Sequence, residues 1–106
     1  MRRWIAVEIV RDGNEATVYL KGTLDITTSR EFKESMFELI KEGVRKVYLD
    51  VRELKSLDSS GIGKILLVYS RLKENNGSME IVNLKEGYVK KLFDLIKIGK
   101  IIPIKE

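Results

Sequence analysis

The sequence predicts an α/β fold: a single domain over residues 1–106, with one mixed β-sheet of about four to five strands and helices mainly on one face, in the order β-β-α-β-α-β-α-β. Three observations predict it. Two segments of alternating apolar and polar residues flank Arg11-Asp12-Gly13-Asn14, the composition of a hairpin turn. Residues 46–51 form a nearly continuous apolar run, as a central strand covered by helices requires. Later strand-like runs alternate with stretches of 3.6-residue apolar period, so right-handed strand–helix–strand crossovers and a parallel portion of sheet follow.

The elements can be justified in order. Residues 4–10 alternate, with Ile5, Val7 and Ile9 on one face. Residues 17–21 alternate again, with Val18 and Leu20 inward, and the turn between has Asp12-Gly13 at its centre. Gly22-Thr23-Leu24-Asp25 ends this second strand. Thr28 and Glu31 have capping-box spacing, and a helix follows with Phe32, Met36, Leu39 and Ile40 on one face, closed by Gly43. After the third strand, residues 52–57 form a charged connection. Ile62, Ile65, Leu66, Tyr69 and Leu72 place a second helix from Ser60 to about residue 75, ended by Asn75-Asn76-Gly77. Leu67 and Val68 fall off its strict stripe; they either bury against the third helix or form an apolar contact patch. Residues 79–84 are the fourth strand, residues 86–96 a third helix with Val89, Leu92, Phe93 and Ile96 inward, and residues 101–104 a short last strand. Pro103 suits an edge position there.

Composition excludes several function classes. The chain has 106 residues, 43% of them hydrophobic, ordinary for a globular chain. No apolar run approaches the roughly 18 residues of a membrane span, and the alternation after Trp4 argues against a signal peptide. With no cysteine and no histidine, disulfides, thiol chemistry, a zinc site and histidine-dependent triads are not expected, and the absence of cysteine fits the cytoplasm. The net charge is +4, and only Lys85, Lys90, Lys91, Lys97, Lys100 and Lys105 are locally concentrated. Nucleic acid or anionic lipid could use such a patch, but no aromatic residues are interleaved there as a stacking platform needs, so the lysines read as a solvated face and direct nucleic-acid binding is not expected.

The most informative stretch is Ser56-Leu57-Asp58-Ser59-Ser60-Gly61-Ile62-Gly63, where a strand run gives way to a helix. Free backbone N–H groups at a helix start favour negative charge. A serine there can cap the helix, hold an anion or carry a phosphate. Ser60 can serve as the cap while Ser59 points outward, and Ser56 is a second hydroxyl on the connection. Glycine early in a helix costs roughly 1 kcal/mol relative to alanine. Gly61 and Gly63 therefore suggest close approach of another surface, or tight helix–sheet packing. Asp25 can order its turn, contact a partner, or do both, and Asp50 can help hold the connection after its strand.

The Leu57-Asp58-Ser59-Ser60-Gly61-Ile62-Gly63 stretch resembles the hallmark of the STAS-domain anti-sigma factor antagonists, in which D-S-S/T-G-hydrophobic-G follows the third strand. Gly22-Thr23-Leu24-Asp25 is similar to that family's G-x-L-D element after the second strand, and the spacing of the two elements and the element order agree over essentially the whole chain. The resemblance implies a phospho-switched binding module, cytoplasmic and monomeric when free. In the family, the serine after the aspartate, here Ser59, is phosphorylated by a partner anti-sigma factor that is itself a serine kinase. The unphosphorylated antagonist binds that kinase and frees a sigma factor; a PP2C-type phosphatase restores the active form. By the same resemblance Asp25, Asp58, Ser60, Gly61, Ile62 and Gly63 are the partner-binding residues.

Two other readings compete. No phosphate-binding G-x-x-x-x-G-K-[ST] loop is present and Gly61-x-Gly63 lacks the third glycine of a dinucleotide fingerprint, so neither an enzyme nor a cofactor is expected; Asp25, Asp50 and Asp58 are the carboxylates a Mg²⁺ ion would use. Within the family, the alternative is a free-standing STAS subunit of a stress-signalling or lipid-transport complex, acting as a non-enzymatic interaction module.

Overall fold

The computed structural model describes residues 7–105; Trp4 and Ile5, expected on the first strand, lie outside the described residues. In chain order the elements are β1 (Val7–Asp12), β2 (Glu15–Leu24), α1 (Ile26–Lys41), β3 (Lys46–Leu57), α2 (Ser59–Glu74), β4 (Ser78–Val82) and α3 (Tyr88–Ile96), followed by a 3₁₀ turn, Ile98–Lys100. Among the described residues the strands form one mixed sheet in chain order. β1 is antiparallel to β2, and β2, β3 and β4 are parallel. The hairpin closes one residue later than expected. Asp12 pairs with Glu15, leaving Gly13-Asn14 as the loop, with Gly13 at φ 64°. A two-residue loop with glycine first matches the right-handed twist of its strands.

Ala16, Val18 and Leu20 of β2, Val47, Leu49 and Val51 of β3, and Met79 and Ile81 of β4 share one buried face. Because the chain steps across the sheet in one direction, right-handed crossovers place α1 and α2 on that same face, where they pack side by side. Phe32, Met36 and Ile40 of α1, Ile65, Val68 and Leu72 of α2, and Val89 and Phe93 of α3 complete the core. The opposite face, with Thr17, Tyr19, Tyr48, Glu80 and Val82, is half-buried. Val68, expected off the stripe, is fully buried, whereas Leu67 beside it is 42% exposed. Ile96, expected inward, is exposed on α3.

The largest departure concerns residues 52–57, expected as a connection and found as the second half of β3. The ladder with β2 slips twice, between Tyr19 and Lys21 and again between Gly22 and Thr23. At each slip β3 carries one extra residue, and a bulge of this kind lets a strand continue while changing which residues face inward. Apolar spacing accordingly changes from two (Val47, Leu49, Val51) to three (Val51, Leu54, Leu57), and all five residues are buried. Asp50 therefore lies within the strand instead of at its end. Its carboxylate accepts the Arg52 N–H at the first bulge (2.9 Å) and the Asn83 side-chain amide in the segment after β4 (2.7 Å), so it braces the bulge and holds the connection that follows β4, not one that follows its own strand. The expected last strand is reduced to a single parallel bridge, Ile104 beside Ile81. There Pro103, which has no N–H to give, supplies its carbonyl to the Ile81 N–H (2.8 Å).

Candidate functional site

β2 and β3 end side by side: Leu24 pairs with Leu57, and the Asp58 N–H points at the Leu24 carbonyl (3.3 Å). The next residue on each strand is the N-cap of a helix. Asp25 caps α1 with φ, ψ of −111° and −164°, and Asp58 caps α2 with −112° and −171°. Two helices thus begin in the same way at one edge of the sheet, and their positive dipole ends and two carboxylates are gathered together.

The caps differ from those expected. At α1 the box is formed by Asp25 and Thr28, not by Thr28 and Glu31: the Asp25 carboxylate accepts the N–H groups of Thr27 and Thr28 (3.0 Å each), and the Thr28 hydroxyl accepts the Asp25 N–H (2.8 Å). At α2 the cap is Asp58, whose carboxylate accepts the Gly61 N–H (3.1 Å), not Ser60. A strand-end aspartate precedes the serines and reaches the same donors, which frees both hydroxyls from capping. Ser59 becomes the first residue of α2 and is exposed; Ser60 follows, half-buried. The Ser56 hydroxyl lies 3.0 Å from that of Thr23, bridging the two strand ends.

The hydrogen bond from the Thr28 N–H, with that from the Thr28 hydroxyl, holds the Asp25 carboxyl below its ordinary value of 3.8. A pKa lower in the folded state than in the unfolded chain means that the ionised form favours folding. That contribution is complete above the unfolded pKa, near ~4, and is lost as the pH falls through the lower folded value. The gap in melting temperature between the native chain and Asp25→Ala is expected to be constant from pH 7 to pH 5 and to narrow below pH 4. A gap independent of pH would refute this account of the cap.

The two glycines serve different ends. A Cβ on Gly61 would lie 2.6 Å from the Leu24 carbonyl oxygen and 3.1 Å from the Leu24 side chain, so only glycine lets α2 start against β2. A Cβ on Gly63 would meet nothing within 4 Å. Gly63 lies one helical turn beyond Ser59 on the same face, and Leu67 one turn further. Ser59, Gly63 and Leu67 thus form an outward strip, with half-buried Ile62 along its margin. Ile26, which opens α1 next to the Asp25 cap, is 63% exposed at the same edge. The sequence pattern did not single it out, because a box at Thr28 and Glu31 would start the helix after Ile26, whereas the Asp25 cap starts it at Ile26.

Asp25, Asp58, Ser59, Ser60, Gly61, Ile62 and Gly63 are therefore gathered at one end of the sheet, while Asp50 lies well up β3 with its carboxylate engaged by Arg52 and Asn83. Among the described residues no three acidic, histidine or cysteine side chains group to hold a metal ion, and no helix is long and apolar enough to cross a membrane. What the geometry offers is an exposed hydroxyl at a helix start, framed by two carboxylates and bordered by small and apolar residues.

A family model of the STAS domain matches residues 6–106. An anti-sigma F factor antagonist of Paenibacillus polymyxa is 30% identical over 101 residues, covering 94% of this chain and 86% of that protein. Among solved structures, the unphosphorylated anti-sigma factor antagonist SpoIIAA superposes with a TM-score of 0.77 at 16% identity, covering 95% of this chain and 88% of that one. The Bacillus SpoIIAA in its phosphorylated form gives a TM-score of 0.75 at 18% identity, covering 95% and 92%.

Proposed function

The chain belongs to the STAS domain family, and from that premise we propose that it is an anti-sigma factor antagonist switched by phosphorylation of Ser59. In this reading the unphosphorylated protein binds a serine-kinase anti-sigma factor and releases a sigma factor in the cytoplasm. The kinase transfers the γ-phosphoryl group of ATP to the Ser59 Oγ, the hydroxyl proton leaves, and ADP departs. A PP2C-type phosphatase hydrolyses the ester and restores the binding form. The protein is the substrate and the binding partner; it catalyses neither step.

The observation that carries this reading is the position of Ser59: exposed, first in α2, and released from capping by Asp58. The hydroxyl is presented to a kinase without unfolding the helix, and N–H groups at the helix start tolerate the added negative charge. Asp25, Asp58, Ser60, Gly61, Ile62 and Gly63 form the surrounding contact surface, to which Ile26 and Leu67 add exposed apolar area.

The test is intact mass after incubation with ATP, Mg²⁺ and the cognate anti-sigma kinase. One added phosphate, absent from Ser59→Ala, is the expected result. A phosphate that persists in Ser59→Ala moves the site, with Ser60 next in line. No phosphate at all rejects the switch and favours an unphosphorylated STAS subunit of another complex.

Gly63 offers a separate check on the docking surface. Nothing in the fold occupies the space its Cβ would take, and alanine is favoured over glycine in a helix by up to ~1 kcal/mol. Gly63→Ala is expected to leave the melting temperature unchanged or raise it, while weakening the complex with the anti-sigma factor. Titration calorimetry giving native affinity for Gly63→Ala would remove Gly63 from the interface.

A further inference from the structure

The segment from α3 to the 3₁₀ turn exposes apolar surface that the phospho-switch does not use. Seven large hydrophobic residues are exposed among the described residues, and four of them lie here: Tyr88, Leu95 (77%), Ile96 and Ile101. Tyr88, Leu92, Leu95 and Ile96 recur at i, i+4, i+7 and i+8, a single stripe beside the one that buries Val89 and Phe93. α3 therefore carries more apolar face than the core covers. Exposed patches of this kind mark interaction sites.

The charge around the stripe indicates what meets it. Between Lys85 and Lys105 there are six lysines against Glu86 and Asp94, so these residues carry four net positive charges, equal to the net charge of the whole chain. Lys90 pairs with Asp94 (3.1 Å). Lys85, Lys91, Lys97 and Lys100 are exposed. No arginine occurs in the segment, although the chain has arginines elsewhere, such as Arg11, Arg45 and Arg71. Protein–protein interfaces are enriched in arginine and depleted in lysine. A diffuse anionic surface makes no demand for bidentate geometry and attracts lysine as a point charge. A helix with an apolar stripe, an aromatic at one end and lysines on the flanks is the pattern of an element lying in a membrane interface.

We propose that the α3–3₁₀ surface docks reversibly on an anionic lipid bilayer, with Leu95, Ile96 and Ile101 entering the headgroup layer and Lys91, Lys97 and Lys100 meeting lipid phosphates. The residues it uses, Lys91 to Ile101, are none of those assigned to the Ser59 edge, so the proposal stands or falls independently of the switch. The test is sedimentation of the full chain with vesicles of phosphatidylglycerol and phosphatidylcholine, against vesicles of phosphatidylcholine alone. Binding to the anionic vesicles only, weakening as salt is raised, is the expected result. Leu95→Ser and Lys100→Glu should each reduce it roughly tenfold, while Lys73→Glu, on the exposed face at the end of α2, leaves it within about twofold. Absence of binding to anionic vesicles overturns the proposal. So does equal binding to neutral vesicles, or equal sensitivity to Lys73→Glu, which would make the attraction one of net charge alone. All three variants lie on exposed positions and are checked by melting temperature before use.

Discussion

Under the proposed switch, phosphorylation of Ser59 is expected to cost at least ~100-fold in affinity for a serine-kinase anti-sigma factor, about 2.7 kcal/mol, while the fold stays unchanged. A phosphoserine carries about −1.5 to −2 charges at neutral pH. At the first residue of α2 it meets the helix N-terminus, which stabilises it by up to ~1 kcal/mol. It also meets Asp58 on the same strand end and Asp25 at the end of the neighbouring strand, whose backbone runs roughly 5 Å from that of β3. The isolated protein solves this conflict by leaving the phosphate in water, because Ser59 is exposed. A docked partner removes that water, and three like charges gathered at a desolvated contact cost several kcal/mol. Titration calorimetry of the phosphorylated and unphosphorylated chains against the anti-sigma factor measures the loss, and amide spectra of the two forms report the fold. Equal affinities would end the electrostatic account. Widespread shifts through the sheet would replace it with a conformational one. Ser59→Asp should give a smaller loss, since it adds one charge on a shorter arm.

Gly61→Ala is expected to destabilise the protein by about 2 kcal/mol, a fall of roughly 10 °C in melting temperature for a domain of this size. The new methyl would sit 2.6 Å from the Leu24 carbonyl oxygen, a backbone atom that cannot swing aside. Overpacking of this kind typically costs 1–3 kcal/mol, and the better helix propensity of alanine offsets only part of that. The same carbonyl receives the Asp58 N–H, so moving α2 away also loosens the geometry that sets Asp58 beside Asp25. The variant should therefore lose partner affinity as well as stability, in contrast to Gly63→Ala, two residues on, which keeps stability. A Gly61→Ala protein that melts with the native chain would show that the close approach of α2 to Leu24 is not required.

Much of the architecture was legible because its causes are local. Alternation in residues 17–21, the 3.6-residue stripe of Phe32, Met36 and Ile40, and the Asn75-Asn76-Gly77 stop each act over a few residues, and each element appears where those signals place it. The errors fall where a distant partner decides. Residues 52–57 carry charges and an apolar spacing of three, which reads as a connection; pairing with Lys21 to Leu24 through two bulges makes them a strand. Val68 lay off the stripe drawn for an isolated helix, but α2 packs against α1 and the sheet, and Val68 is fully buried. Thr28 and Ser60 looked like caps by spacing, yet Asp25 and Asp58 occupy that role because each strand delivers its aspartate one residue ahead of the helix.

The amino-acid sequence by itself determined the order of the elements through the third helix, the core-facing residues of most of them, and the Asp58-Ser59-Ser60-Gly61 motif at the start of a helix, since hydrophobic period, turn chemistry and motif spacing are properties of neighbouring residues. Only the tertiary structure decided that Asp25 and Asp58 stand together, that Asp58 rather than Ser60 caps α2, that Gly61 meets Leu24 while Gly63 meets nothing, and that Ile26 and Leu67 remain uncovered. Those facts depend on the register between β2 and β3 and on how far α2 approaches the sheet. Both are set by contacts between residues far apart in the chain, which no local pattern encodes.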